Sequence, residues 1–140
     1  VLGDHVKQKG SNITGERLRI DFSHNEKLSD EQRVEVERIV NETIRDSLPM
    51  IKTTMPKDEA ERLGAEQEFG QKYPDMVSVY SLGPKDATAE NPKLDRAFSI
   101  EFCGGPHVSN TNQIHGTFKI TKEKASSAGV RRIRGVLERT

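Results

Sequence analysis

The chain has 140 residues, 32% of them hydrophobic and 31% charged, with no tryptophan; that is one domain's length, with a thin core and a heavily solvated surface. Its 22 basic and 22 acidic side chains cancel, which excludes a strong global field for a polyanion. The single cysteine, Cys103, excludes an internal disulfide framework and fits a reducing, cytoplasmic compartment, and no stretch approaches the ~18 apolar residues of a membrane helix.

The chain opens Val1-Leu2-Gly3-Asp4 without a methionine, which predicts a piece of a longer protein. Leu2 and Val6 stand at helical spacing before Gly10-Ser11, so Val1–Gly10 reads as the tail of a helix. Leu18, Ile20 and Phe22 alternate with Arg19 and Asp21, the pattern of a half-buried strand. Ser29-Asp30-Glu31-Gln32 has the form of a capping box and announces a long helix. Val36, Ile39, Val40, Ile44 and Leu48 share one face of that helix, and Pro49 stops it. Its outward residues Glu31, Arg33, Glu35, Glu37, Arg38, Glu42 and Arg45 mix both signs, a solvated face rather than a DNA-reading helix.

A short strand is expected over Met50–Thr54. A short helix over Lys57–Leu63 is bounded by Pro56 and Gly64, and a further helical turn is expected over Glu66–Phe69. Tyr73-Pro74-Asp75 is a turn, Met76–Leu82 a strand with Val77 and Val79 on one face, and Gly83–Asp95 an exposed loop. Phe98, Ile100 and Phe102 alternate as another strand, and Cys103–Asn112 is a loop rich in Gly, Pro and Asn. Ile114–Lys122 and Val130–Leu137 close the chain as two strands joined by Lys124–Gly129. The sum is a single α+β domain over residues 1–140, with a mostly antiparallel sheet, one long helix and one or two short ones. Connections are too short for repeated crossovers.

Phe102-Cys103-Gly104-Gly105-Pro106-His107 carries the most chemistry. Gly-Gly-Pro forbids a regular helix, and a tight loop can turn the thiol of Cys103 and the imidazole of His107 toward one point. Sulfur and nitrogen donors suit zinc; the plain alternative is a strand-end cysteine with a loop histidine beside it. His24 ends the strand Asp21-Phe22-Ser23-His24, either facing a cleft or satisfying a loop backbone. His5 and His115 carry less signal. Neither a Ser-His-Asp arrangement nor a Walker-type phosphate loop can be placed. Lys119, Lys122, Lys124, Arg131, Arg132 and Arg134 crowd the C-terminal strands. They form either a phosphate-contacting patch or the solvated face of two edge strands, where such residues also discourage aggregation.

Cys103-Gly104-Gly105-Pro106-His107-Val108 resembles the Cys-Gly-Gly-Thr-His-Val signature of alanyl-tRNA synthetases. The resemblance extends along the chain: Arg17–His24 is similar to that family's strand ending in Asp-Phe-Ser-His. Asp58-Glu59-Ala60, Gly64-Ala65 and Phe69-Gly70-Gln71-Lys72-Tyr73 are similar to its helix and Phe-Gly-Glu-Lys-Tyr segment, and Phe118-Lys119-Ile120 with Gly129–Arg134 to its closing strands. Two departures are Pro106, where threonine is usual, and a longer Gln113–Gly116 turn carrying His115. The threonyl-tRNA synthetase editing domain shares a Cys-x-x-x-His loop but lacks the Gly-Val-Arg-Arg-Ile ending.

The resemblance implies an editing domain that hydrolyses the ester joining a wrong serine or glycine to tRNA(Ala), a task a small apolar synthetic pocket cannot perform by rejection alone. It implies a zinc held by Cys103 and His107 together with a His-x-x-x-His pair expected upstream of Val1, so that this chain holds half the site. It implies ATP only in a parent's aminoacylation domain, and Asp21 and His24 as candidates around the catalytic cleft. The implied partner is the tRNA(Ala) acceptor end, contacted by Lys119, Lys122, Arg131, Arg132 and Arg134, with no DNA or membrane partner. Two alternatives are an inert tRNA-binding piece and a free-standing editing protein.

Overall fold

The computed structural model describes residues 1–68 and 71–139. Among the described residues, seven strands and two α-helices follow in chain order: β1 (Gln8–Ile13), β2 (Leu18–Ser23), α1 (Asp30–Arg45), β3 (Met50–Pro56), α2 (Lys57–Arg62), β4 (Met76–Leu82), β5 (Ser99–Phe102), β6 (Thr117–Ser127) and β7 (Val130–Glu138). They build two antiparallel sheets, one in the order β1-β2-β7-β6 and one in the order β3-β4-β5, so the α+β expectation holds. Of the described residues, 1–42 and 115–139 form one compact unit and those between 43 and 114 a second.

In the first unit, β2, β7 and β6 carry Phe22, Phe118, Ile120 and Ile133 into a core with Leu28, against which Leu2, Val6, Leu18, Val36 and Val40 pack. The capping box forms as written. The Gln32 N–H donates to Ser29 Oγ at 3.1 Å, and the Ser29 N–H donates to Gln32 Oε1 at 2.9 Å, satisfying two donors that a helix start leaves open. Asn41 then seals an exposed strand edge. Its amide donates to the Phe118 carbonyl at 3.1 Å and its oxygen accepts from the Phe118 N–H at 2.7 Å, replacing the partner strand that β6 lacks.

In the second unit, Met55, Val77, Val79 and Phe102 form the core with Ala60 and Ala65, joined by Tyr73, Leu94 and Ile100. Thr111 fastens the end of α1. Its hydroxyl donates to the Thr43 carbonyl at 2.8 Å and accepts from the Leu48 N–H at 2.9 Å. The helix therefore stops at Arg45, with Ser47 left-handed at φ 53°, and not at the Leu48-Pro49 boundary that periodicity suggested.

The N-terminal segment is a correction: Val1–Gly10 is no helix tail, and β1 begins at Gln8. Leu2 and Val6 still reach the core, but from an irregular segment held by Ser23. The Ser23 hydroxyl donates to the His5 carbonyl at 2.8 Å and accepts from the Lys7 N–H at 2.8 Å. The turn expected over Glu66–Phe69 is not helical at Glu66, which bridges Glu101 in parallel; Phe69 lies outside the described residues. The loop expected over Lys124–Gly129 shrinks, because β6 runs on to Ser127. β7 is not an edge strand either, since β2 and β6 flank it.

Candidate functional site

The β3-β4-β5 sheet turns Val77, Val79 and Ser81 into the core, so Ser78 and Tyr80 point to the other face. Register sets Tyr80 between Lys52 on β3 and Glu101 on β5, and directly opposed residues share a face. Cys103 prolongs the ladder by one step beyond β5, its N–H donating to the Ser78 carbonyl at 3.2 Å. Two residues past Glu101, its side chain falls on the same outer face.

From there Gly104-Gly105-Pro106 folds the chain back. The Gly105 N–H approaches Cys103 Sγ at 3.4 Å, and His107 Nε2 reaches that sulfur at 3.0 Å. The imidazole stacks on Tyr80 with ring centroids 3.9 Å apart and planes 26° from parallel. Partial removal from solvent lowers the His107 pKa, favouring the neutral ring that can present a lone pair. Glu101 goes the other way. Desolvation of its carboxyl, with the Glu66 carboxylate as a second cause, raises its pKa above the ordinary carboxylate value, although the residue as a whole stays exposed.

The expected pair is thus brought together, and its donor set suits a metal. Two ligands of a tetrahedral zinc, at about 2.3 Å from sulfur and about 2.0 Å from nitrogen, stand roughly 3.5 Å apart; the 3.0 Å gap between Sγ and Nε2 opens to that with a small shift. No cluster of three or more His, Cys, Asp or Glu side chains able to hold a metal occurs among the described residues, so the pair supplies two donors only.

The other expected residues lie in the first unit. Asp21 is buried on β2 and grips Arg132 with both oxygens, at 2.7 and 3.0 Å; that hydrogen-bonded pairing holds its carboxyl below the usual carboxylate range. His24 Nδ1 meets His5 Nε2 at 2.7 Å, the rings stacked 5.0 Å apart. Arg131 pairs at 2.6 Å with Glu123, whose side chain is fully buried. Lys119 stands 4.0 Å from Glu138. Tyr80, Glu101 and Lys52 were not singled out in the sequence. The Val77/Val79 alternation held the signal for Tyr80, but pairing partners across strands are not legible from one strand.

Residues 77–134 match the family model for the threonyl and alanyl tRNA synthetase second additional domain. The chain is 53% identical over 138 residues, 99% of its length, to the alanine–tRNA ligase of Treponema denticola. It is 50% identical over its full length to that of Treponema pallidum and 46% identical over 136 residues to that of Halalkalibacterium halodurans. It spans about a fifth of the two Treponema relatives, 21%, and 14% of the third.

Proposed function

The chain belongs to the threonyl and alanyl tRNA synthetase second additional domain family, and on that premise we propose that it is the editing module of an alanine–tRNA ligase, acting as one functional domain in the cytoplasm. Its reaction is hydrolysis of the ester that joins serine or glycine to tRNA(Ala), while the parent enzyme uses ATP to attach alanine elsewhere. The observation that carries the reading is the convergence of Cys103 Sγ and His107 Nε2 on an outer sheet face already set with Tyr80, Glu101 and Lys52.

Cys103 and His107 would supply two zinc ligands, and further ligands must come from beyond this pair. A zinc bound there supplies Lewis-acid polarisation of a carbonyl or a water of lowered pKa. The chain's own contributions are positional. The Cys103–Ser78 ladder bond fixes the root of the loop, and the two glycines let it reverse. Tyr80 sets the plane of the imidazole, and partial burial keeps His107 neutral as a donor. Asp21 and His24, candidates on sequence grounds, fit support of the first unit better than chemistry: Asp21 is committed to Arg132 and His24 to His5.

The two-donor count favours one other reading, a tRNA-binding module without chemistry of its own. Deacylation of Ser-tRNA(Ala) by the 140-residue chain, with zinc content measured alongside, separates the two. Self-sufficient editing by this chain predicts hydrolysis, about one zinc per chain, and a loss of at least a hundredfold in Cys103→Ala, in line with the several kcal/mol a Lewis acid contributes. A folded chain that holds no zinc and leaves the ester intact overturns self-sufficient catalysis in favour of the binding module.

A further inference from the structure

The two faces of the β1-β2-β7-β6 sheet differ sharply in charge. One is the core face, bearing Phe22, Ile120 and Ile133. Arg131 belongs to it: it lies opposite Phe22 in register and its guanidinium is tied to buried Glu123. On the opposite face, strand register builds two rows. Arg19 on β2 lies against Arg134 on β7, which lies against Lys122 on β6. One step along the strands, Asp21 lies against Arg132 and Arg132 against Lys124. Rows two residues apart on a strand are about 6.7 Å apart, and neighbouring strands about 4.8 Å. Five cations and one carboxylate thus occupy a patch about 7 by 10 Å.

The lone carboxylate is spent locally. Arg132 binds Asp21 with two hydrogen bonds and Arg19 reaches it at 3.7 Å. Arg134, Lys122 and Lys124 have no ion-pair partner among the described residues. Like charges directly opposed across a strand pair are unfavourable, and the Nε atoms of both Arg19 and Arg134 are buried without a hydrogen-bond partner. β1 keeps the face open beside them, because Gly10, opposite Asp21, leaves room where a side chain would stand. A chain of zero net charge therefore concentrates uncompensated positive charge on one sheet face, in a spacing suited to successive phosphates.

We propose that this face, formed by Arg19, Lys122, Lys124, Arg132 and Arg134, docks the phosphate backbone of double-helical RNA. The inference rests on the tRNA reading above for its choice of polyanion, and it departs from the basic cluster noted in the C-terminal strands by adding Arg19 and removing Lys119 and Arg131. Its contacts read backbone rather than bases, so affinity falls steeply with salt, with a slope set by the number of phosphates neutralised.

The test is fluorescence anisotropy of a labelled hairpin carrying an alanine-tRNA acceptor stem, titrated with the 140-residue chain over a range of salt. Lys122→Gln and Arg134→Gln are each expected to lower the salt slope by about one and the double variant by about two, while Lys85→Gln and Arg62→Gln in the second unit leave it unchanged. Thermal unfolding of the face variants should stay at or above wild type, since each removes like-charge repulsion; should Arg134→Gln unfold early, Lys122→Gln with Lys124→Gln carries the same test. If the chain binds the hairpin but face variants keep the wild-type slope, or the controls lose as much, this surface is wrong and the tRNA reading stands. If the chain does not bind the hairpin at all, both fall.

Discussion

Asp21 illustrates how one residue's role turns on its neighbours. In the sequence it is an acid at a strand end beside a histidine, a fair candidate for a cleft. In the fold it is 8% exposed and chelated by Arg132, with Arg19 and Arg134 adding to the field that lowers its pKa. Because the folded value lies below the unfolded one, the stability it contributes is fully present above the ordinary carboxylate pKa of about 3.9 and drains away as pH falls through that range toward the lowered value. Asp21→Asn should destabilise the chain by about 1–3 kcal/mol at pH 7, and urea melts from pH 7 down to pH 2 should show the gap from wild type closing in acid. A constant gap would assign the effect to packing instead. Arg131 and Arg132, adjacent in sequence, show the same dependence: alternation sends one to buried Glu123 and the other to Asp21.

At the scale of elements, α1 follows its local code at one end and tertiary contacts at the other. Ser29 and Gln32 form the reciprocal cap that their spacing announces. Ser29→Ala is therefore expected to cost about 1 kcal/mol, read as a lower urea midpoint with unchanged slope. The far end is decided by Thr111, far away in sequence, whose hydroxyl takes over the last-turn carbonyl and the Leu48 N–H; no window around Pro49 contains that information. β1 was missed for a related reason. Gln8-Lys9-Gly10-Ser11-Asn12-Ile13 has neither alternation nor β-branched enrichment, and it is a strand because the edge of β2 offers it a ladder. Met76–Leu82, by contrast, has the predicted bounds: Val77 and Val79 flank Ser78, and the buried face continues in step to Ser81, so a central strand with one buried face writes part of its period into the sequence.

At the scale of the molecule, each unit has its own buried cluster, which the thin hydrophobic fraction alone did not disclose. In the first, Phe118 is 6% exposed and its ring lies against Gly135, where a Cβ would come within 2.5 Å of it. Phe118→Ala should cost about 3–5 kcal/mol, visible as a large fall in the denaturation midpoint. Gly135 is thus a packing glycine, required by the ring across the strand pair.

The sequence alone determined the α+β class, the capping box, the central strands and the Cys103–His107 pair with its loop, together with the kinship to alanyl-tRNA synthetases. These are local: they depend on periodicity, on turn chemistry and on residues four apart. Tertiary structure alone decided that Tyr80 backs His107, that Glu101 meets Glu66, and that Asp21 serves Arg132. It also aligned Arg19, Arg134 and Lys122 in one row. The physical reason is common to all of them. Strand register joins residues distant in sequence through backbone hydrogen bonds that every residue type except proline offers alike, so side-chain identity along one strand does not name the partner opposite.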